Sequence, residues 1–567
     1  MVRQIAQRNG VTVKAYTGTT GVLLAMNVEP DRRTGLLGFA IKRRDGRTGR
    51  HEWLMGALPF PHMRHKPGTL LRSNIAPLQK FRWSDYRVYP DTSYEYAVYP
   101  VYGTAKHPEL GDEAVVAVRT ASMTQGDHQV IFNRAAAASQ AFSRKFPQIA
   151  DQLDAARRQK QPAPPLPPQV LEWLTRGVLE RILSFIQQAA DPTWALDVAI
   201  YEYQLPDIVD AIAAAHARGV AVRVVYHAKP NDPATTENEH ALESLPLAVK
   251  QGRITYGICH HKFMVLSRIE MGDRVPEAVL CGSTNFTHNG VYRQANVVHV
   301  VCQSDIAQAY LALFDGLFRG DSVGETRRYI NRVNAIAPDQ FIPSSSTLFA
   351  GFSPRTGQID LNTFIQLVRN AKRDVLFCTA FRLYAGLEEA FLGEPHDSIL
   401  RYGLQNSRSI ITGIHADRTA DFTATAMLNE GLEGFLKEST AGQRGNILIH
   451  TKLIVIDFTS DHPIVISGSH NFSSNASRTN DENFLIIQGD PRVADCYGCE
   501  LMRLYDHYRF RFRVRQDAQA RSLENSRENS AIASSRRLTL SPNDGWTTPY
   551  FTEGNLKQAD RLRFSGC

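Results

Sequence analysis

One short pattern is written twice in this chain. Gly257 to Leu266 reads GICHHKFMVL and Asn446 to Asp457 reads NILIHTKLIVID, and each places a His and a Lys two residues apart at the head of an apolar, β-branched run. A second such run follows in each case and ends in a small-residue turn, AVLCGSTNFT and IVISGSHNFS. His260 and His450 lie 190 residues apart (450 − 260), and Gly282 and Gly468 lie 186 apart (468 − 282), a repeat of domain length. Helix and strand signals alternate around these motifs. Val170 to Gln188 has helical periodicity, ALDVAIYEY reads as a strand, Asp207 to Arg218 as an Ala-rich helix and VAVRVVYHA as a strand, while FIQLVRNAKR, DVLFCTAF and SIITGIHA give helix, strand and strand again. The alternation predicts an α/β protein of two duplicated halves, 170–335 and 336–515, with mainly parallel mixed sheets flanked by helices.

The rest of the 567 residues is organised differently. Residues 1–125 carry short β-rich runs such as GVLLAMNV, TGLLGFAIKR and YEYAVYPVYG between Gly, Pro, Asp and Asn turns, which predicts an N-terminal all-β sandwich. An Ala-rich then charged stretch leads to QPAPPLPPQ, Gln161 to Gln169, so 126–169 reads as a helical and Pro-rich linker. Residues 516–567 read as a partly mobile C-terminal tail: a Ser/Arg/Asn-rich segment near 520–540, then a stretch whose Trp546, Tyr550 and Phe551 suggest docking back on the body.

In a strand, residues two apart share a face, so His260 sits with Lys262 and His450 with Lys452, while His261 points the other way. Each turn adds a carboxamide and a hydroxyl: Asn285 and Ser283 after Gly282, Asn471 and Ser469 after Gly468. That set suits a phosphodiester. Lys and Asn donors match nonbridging oxygens and stabilise charge on five-coordinate phosphorus, and imidazole attacks phosphorus or moves a proton at neutral pH. A single His-x-Lys pair would be an ordinary polar strand end. Two copies, each followed by Gly-Ser-x-Asn, are a phosphoryl-transfer signature.

The repeated pattern resembles that of the phospholipase D superfamily: His-x-Lys, four residues, Asp, then Gly-Ser/Gly-x-Asn, twice. The resemblance covers about 170 to 515. His450, Lys452, Asp457, Gly468, Ser469 and Asn471 complete the second copy, whereas the first has Ser267 where the pattern has Asp. The resemblance implies a polar residue downstream of each motif that orients a catalytic His. Glu482 in NDENFLII fills that role in the second half, and RQANVVHVV offers Gln294 or Asn296 in the first. It further implies His260 as nucleophile, His450 as general acid/base and Asp457 as a supporting residue. No cofactor is implied, because Lys262 and Lys452 supply the cations, and the catalytic unit is complete within one chain. FRWSDYRVYPDTSYEYAVYPVYG, with Trp83 and alternating Tyr94, Tyr96 and Val98, resembles a fibronectin type III domain and implies a docking module for an unidentified protein partner.

Three functions fit: a phospholipase D acting on a phospholipid headgroup, a nuclease or other nucleic-acid phosphodiesterase, and a non-catalytic phosphate-binding module. Two motif-bearing halves in one chain resemble the lipases. YRFRFRVRQ, Tyr508 to Gln516, interleaves Arg with aromatics as a nucleic-acid groove does, but helical spacing from Cys496 to Tyr508 makes it the solvated end of a helix. The net charge of +7 favours anionic partners without choosing among them. Seven cysteines without regular spacing argue against a disulfide framework, and Cys496 and Cys499 read as a helix face. With no signal-peptide core and no bilayer-length apolar run, the expectation is a reduced, cytoplasmic protein.

Overall fold

The computed structural model describes residues 3–64, 69–134, 139–341, 345–425, 448–525 and 539–567. Gln4 to Arg119 fold into two larger antiparallel sheets and a two-stranded one, Met55–Gly56 with Leu71–Arg72. Val11–Thr17, Val22–Val28 and Arg82–Asp85 lie in one, and Gly38–Asp45, Ser93–Thr104 and Ala114–Arg119 in the other. Their alternating apolar residues, among them Val13, Leu24, Met26, Ile41, Tyr96 and Val116, meet in one core.

The two halves are mixed α/β sheets. In the first, the spatial order is β1 (His128–Phe132), β7 (Val297–Val301), β6 (Asp273–Gly282), β5 (Lys262–Glu270), β2 (Trp194–Ile200), β3 (Ala221–His227) and β4 (Lys250–Arg253). The second runs β8 (Thr347–Ser353), β15 (Glu482–Gln488), β14 (Ile464–Gly468), β13 (Lys452–Ile456), β9 (Asp374–Thr379), β10 (Leu400–Gln405), β12 (Ala420–Ala424) and β11 (Gly413–His415). The duplication is plain in the register. Both halves pair the His-x-Lys strand antiparallel with the strand that ends at the conserved-spacing Gly, and with the first strand after a helix on its other side.

Several expectations need correction. The sheets are mixed but not mainly parallel: among the described residues parallel ladders join only β2–β3–β4 in the first half and β9–β10–β12 in the second. A helix crossover produces those pairs except β10–β12, which is joined through a loop, β11 and a single 3-10 turn, whereas the strands carrying the motifs are joined by short antiparallel returns. Residues 126–169 are not only linker, because β1 joins the sheet of the first half through β7; helices Ser139–Lys145 and Pro147–Arg158 follow it. Val170 to Gln188 is two helices, Pro168–Thr175 and Val178–Gln188, broken where Arg176 and Gly177 both take left-handed backbone. SIITGIHA is mostly a loop. Ile411 alone is buried there while Ile410 and Ile414 face solvent, and only the short strand β11 lies within it; the buried strand of that region is β10.

The final long helix, Pro491–Asn525, passes the expected boundary at 515 and carries YRFRFRVRQ. Arg509 there pairs with Asp421 at 2.8 Å. Cys496 and Cys499 lie on its buried face against Thr19 and Tyr16 of the sandwich. Residues 526–538, the centre of the Ser/Arg/Asn-rich segment, lie outside the described residues. Beyond them the chain packs back: Trp546 stacks on Phe81, Tyr550 packs against the same ring, and Phe564 meets Tyr16 and Phe458. Arg3 pairs with Asp495 at 2.7 Å, so the sandwich is tied to the second half as well.

Candidate active site

The two His-x-Lys motifs meet across the interface of the halves. The ring centroids of His260 and His450 are 6.4 Å apart at 74°. Matching backbone bonds hold them there, His260 N–H donating to Asp481 O at 2.8 Å and His450 N–H to Ala295 O at 2.9 Å. Each His is thus fixed by the segment that precedes the last motif strand of the opposite half.

The side chains repeat this exchange. His260 Nδ1 lies 2.6 Å from Glu482 Oε2, and His450 Nδ1 lies 3.0 Å from Asn296 Oδ1 and 3.0 Å from Ser283 O. All are acceptors, so both Nδ1 atoms carry the proton and both Nε2 atoms are left for chemistry. Of the two residues in RQANVVHVV, Asn296 performs the orienting role; the described hydrogen bonds of Gln294 are made by its backbone. Ser283 and Ser469 are clips. Ser283 Oγ donates to Asn296 Oδ1 at 2.8 Å and accepts from Val297 N–H, and Ser469 Oγ donates to Glu482 Oε2 at 2.7 Å and accepts from Asn483 N–H. Glycine precedes each because a Cβ on Gly282 or Gly468 would run into the carbonyl oxygen of Val297 or Asn483, at backbone angles side chains avoid.

Lys262 and Lys452 are buried, and each ammonium donates to the carbonyl of its own His, at 3.0 and 2.6 Å. Tyr201 lies under Lys262 Nζ at 5.3 Å from the ring centroid, and Phe381 under Lys452 Nζ at 5.8 Å. Burial pushes Lys262 down to about 8, offset in part by Glu482 and Glu202; burial and the Lys262 charge push Lys452 well below its usual value. Burial first, then the two ammonium groups, holds His260 and His450 well below the ordinary imidazole range. Burial raises Glu482. The site is therefore a buried cluster that resists further positive charge until an anion enters. His261 points away, buried against Phe263, with its imidazole pushed down to about 4 by burial.

Asn471 and Asn285 flank the histidines in sequence position, and neither carboxamide oxygen has a partner among the described residues. Asn285 Nδ2 donates to Glu202 Oε2, a residue that sequence reasoning missed although it lies in the run ALDVAIYEY, two residues past the end of β2. Asp457 does not touch Lys452. Its carboxylate accepts the backbone N–H groups of Lys372 at 2.8 Å and Arg373 at 2.6 Å, closing the turn into β9. In the first half the matching turn is closed from within: Asp191 accepts from Thr193 N–H at 2.9 Å and from the Thr193 hydroxyl at 2.5 Å. Ser267, buried opposite Ala195 at a register shift, has no such task. The described residues contain no cluster of three or more His, Cys, Asp or Glu arranged to hold a metal ion.

A family model described as "Cardiolipin synthase, PLD-like domain" matches residues 182–318 and 411–505. No curated protein matches the chain in sequence. Among solved structures, the phosphatidylserine synthase of Haemophilus influenzae aligns at 12% identity with a TM-score of 0.38, over 59% of this chain and 84% of its own. Nuc, a phospholipase D family member from Salmonella typhimurium, aligns at 21% identity and a TM-score of 0.20 over 24% and 82%. Polyphosphate kinase from Porphyromonas gingivalis aligns at 11% identity and a TM-score of 0.36 over 56% of this chain; the chain spans 46% of that one. Both motifs, His260 to Asn285 and His450 to Asn471, fall inside the two stretches that the family model matches, so it is there that the chain is similar to a PLD-like domain.

Proposed function

We propose that the protein is a phosphodiesterase that works through a phosphohistidine on His260 and cleaves the headgroup diester of a phospholipid. The observation that supports it is the meeting of two oriented imidazoles and two buried ammonium groups at one interface. The entering anionic diester brings a proton onto His450 Nε2; His260 Nε2 then attacks phosphorus while the bond to the leaving alcohol breaks, and His450 delivers that Nε2 proton to the departing oxygen. Water then attacks phosphorus, His450 takes its proton back, and the phosphorus–nitrogen bond breaks to free His260. Lys262, Lys452 and Asn471 bind the nonbridging oxygens and the charge that grows on them. His260 is assigned as nucleophile because its ring becomes cationic on attack and Glu482 is the one carboxylate at hydrogen-bond distance from either imidazole among the described residues.

The description of the matching family model as a cardiolipin synthase supports a lipid substrate and makes an alcohol acceptor an alternative to water. The described part of the chain has no helix long and apolar enough to cross a membrane, so lipid would be met at a surface. Cleavage of nucleic acid by the same chemistry is the second reading. A direct contest separates them: purified protein is given phosphatidylcholine, as short-chain micelles and as vesicles, beside single- and double-stranded DNA and RNA. Release of choline with intact nucleic acid is the expected result, unchanged by EDTA because the lysines supply the cations. Cleaved nucleic acid with untouched lipid overturns the lipid assignment, and chelator inhibition reversed by magnesium or zinc overturns the metal-free mechanism.

A further inference from the structure

The duplication extends to a clamp that neither motif contains. After each Gly-Ser-x-Asn turn the backbone makes a wide turn, closed by Gln294 N–H on Asn289 O in the first half and Asn480 N–H on Asn475 O in the second, both at 2.9 Å. The two turns are equivalent, since 475 − 289 and 480 − 294 both give 186, the spacing of Gly282 and Gly468. So wide a turn leaves carbonyls without the partner that a regular helix would supply. One buried side chain from the edge strand of each sheet takes them up. Asn133, directly after β1, has its Nδ2 2.8 Å from Val291 O, 2.8 Å from Gln294 O and 3.3 Å from Gly290 O. Ser353, the last residue of β8, has its hydroxyl 2.6 Å from Ala476 O and 3.1 Å from Asn480 O.

The clamped carbonyls lie immediately before the residues that hold the two histidines. Next in the chain come Ala295 and Asp481, whose carbonyls fix the backbones of His450 and His260, and then Asn296 and Glu482, which orient the two rings. β1 brings Asn133 opposite Asn296, whose N–H donates to Asn133 Oδ1 at 3.0 Å, and β8 pairs Ser353 with Glu482. Gly290 O also accepts from Asn296 Nδ2 at 2.8 Å, which leaves Asn296 Oδ1 to face the His450 ring. We propose that Asn133 and Ser353 are a duplicated pair of positioning residues, Asn133 setting the ring of His450 and Ser353 that of His260. This rests on the phosphodiesterase reading above and extends its machinery to the edge strands. The two residues lie 220 apart (353 − 133) rather than 186, so the sequence repeat does not mark them.

The test reads the first turnover of two diesters that differ in their need for an acid. Enzyme in excess is mixed with bis(p-nitrophenyl) phosphate, whose leaving group departs unaided, or with diphenyl phosphate, whose phenol departs with a proton. Asn133→Ala is expected to slow phenol release about tenfold, the rate equivalent of one to two hydrogen bonds, and nitrophenolate release by less than about threefold. Ser353→Ala is expected to slow both alike, by about tenfold, because it acts on the attacking ring. Asn133→Ser, which copies the second half, is expected to fall between Asn133→Ala and wild type in the ratio of the two rates, and it carries the comparison where the alanine variant does not fold. Rates are taken per folded molecule, counted by circular dichroism. A purely structural role lowers the folded fraction and leaves both rates unchanged, and that outcome overturns the role of the residue concerned. Equal slowing of both substrates by the Asn133 variants overturns its action through His450. Release of nitrophenolate alone by wild type overturns this inference only, since no acid would then be acting, while no release from either diester removes the phosphodiesterase reading and this inference with it.

Discussion

Replacing Glu482 with Gln keeps the length of a fully buried side chain and removes its charge. In the folded protein its Oε2 lies 2.6 Å from His260 Nδ1 and 2.7 Å from Ser469 Oγ, and its Oε1 accepts from Asn480 Nδ2 at 3.0 Å. When His260 attacks phosphorus the ring gains a positive charge next to that carboxylate. Two unit charges about 4 Å apart attract by about 4 kcal/mol at an effective dielectric of about 20, which is about three powers of ten in rate. The amide dipole of Gln keeps part of this, so the loss expected in turnover is between about 10² and 10³. Asn296→Ala is the internal comparison. It removes a neutral acceptor and leaves Ser283 O to hold the same His450 proton at 3.0 Å, so about 1 kcal/mol, or roughly fivefold, is at stake. Bis(p-nitrophenyl) phosphate is the substrate of choice, since nitrophenolate needs little help from an acid and its release reports on the attacking imidazole. A Glu482→Gln rate within about tenfold of wild type, or an Asn296→Ala loss larger than the Glu482→Gln loss, would refute the assignment of the charge-supported histidine.

Other outcomes follow from the same contacts. Ser267→Asp should change the rate of the folded enzyme by less than about tenfold, or 1.4 kcal/mol of barrier, because Asp191 already closes the turn; a larger change would show that position 267 acts on Lys262. Asp457→Ala should instead lower thermal stability, by about 1–3 kcal/mol for the orphaned amides of Lys372 and Arg373, with turnover of the folded fraction little altered. The pH profile of kcat/KM should rise as His260 becomes neutral and fall as His450 loses the proton it must deliver, both limbs lying on the acid side of the ordinary imidazole value of 6.5; a rising limb well above 6.5 would contradict the site's electrostatics. Because the folded-state values of His260 and His450 lie below those of the unfolded chain, the unfolded state takes up protons first, so their contribution to stability is held above pH 6.5 and lost as pH falls below it. Inorganic phosphate or tungstate should raise the melting temperature and bind with net proton uptake near neutral pH, measured by calorimetry in buffers of different ionisation enthalpy; proton release on binding would overturn that expectation.

The motifs were legible because phosphoryl chemistry needs polar side chains where strands otherwise bury hydrocarbon, and a duplicated exception of that kind has no packing explanation. Glu482 was legible for the same reason. Glu202 was not, because one acid next to the end of ALDVAIYEY looks like a solvated strand terminus; only its bond with Asn285 shows that it faces the site. Strand β10 was hidden by its own composition, since Arg401, Tyr402 and Gln405 are buried through specific partners, while the apolar letters of SIITGIHA drew attention to a loop. The parallel expectation failed for a topological reason. Periodicity reports that a strand is buried but not the direction of its neighbour, and the strand after each His-x-Lys returns antiparallel. That β1 belongs to the catalytic sheet was likewise unreadable, because its pairing with β7 spans long sequence separation.

The central claim is that each half gives one imidazole to one site and that His260 takes the phosphoryl group. Rapid mixing of wild type, His260→Ala and His450→Ala with a phosphorus-labelled diester, quenched in alkali and mapped by mass spectrometry, tests it most directly. With bis(p-nitrophenyl) phosphate, whose leaving group needs no acid, the account predicts an acid-labile phosphate on His260 that accumulates in His450→Ala, where water is no longer activated. It predicts no adduct and no turnover in His260→Ala. A phosphate on His450, or a turning-over His260→Ala enzyme, would contradict it.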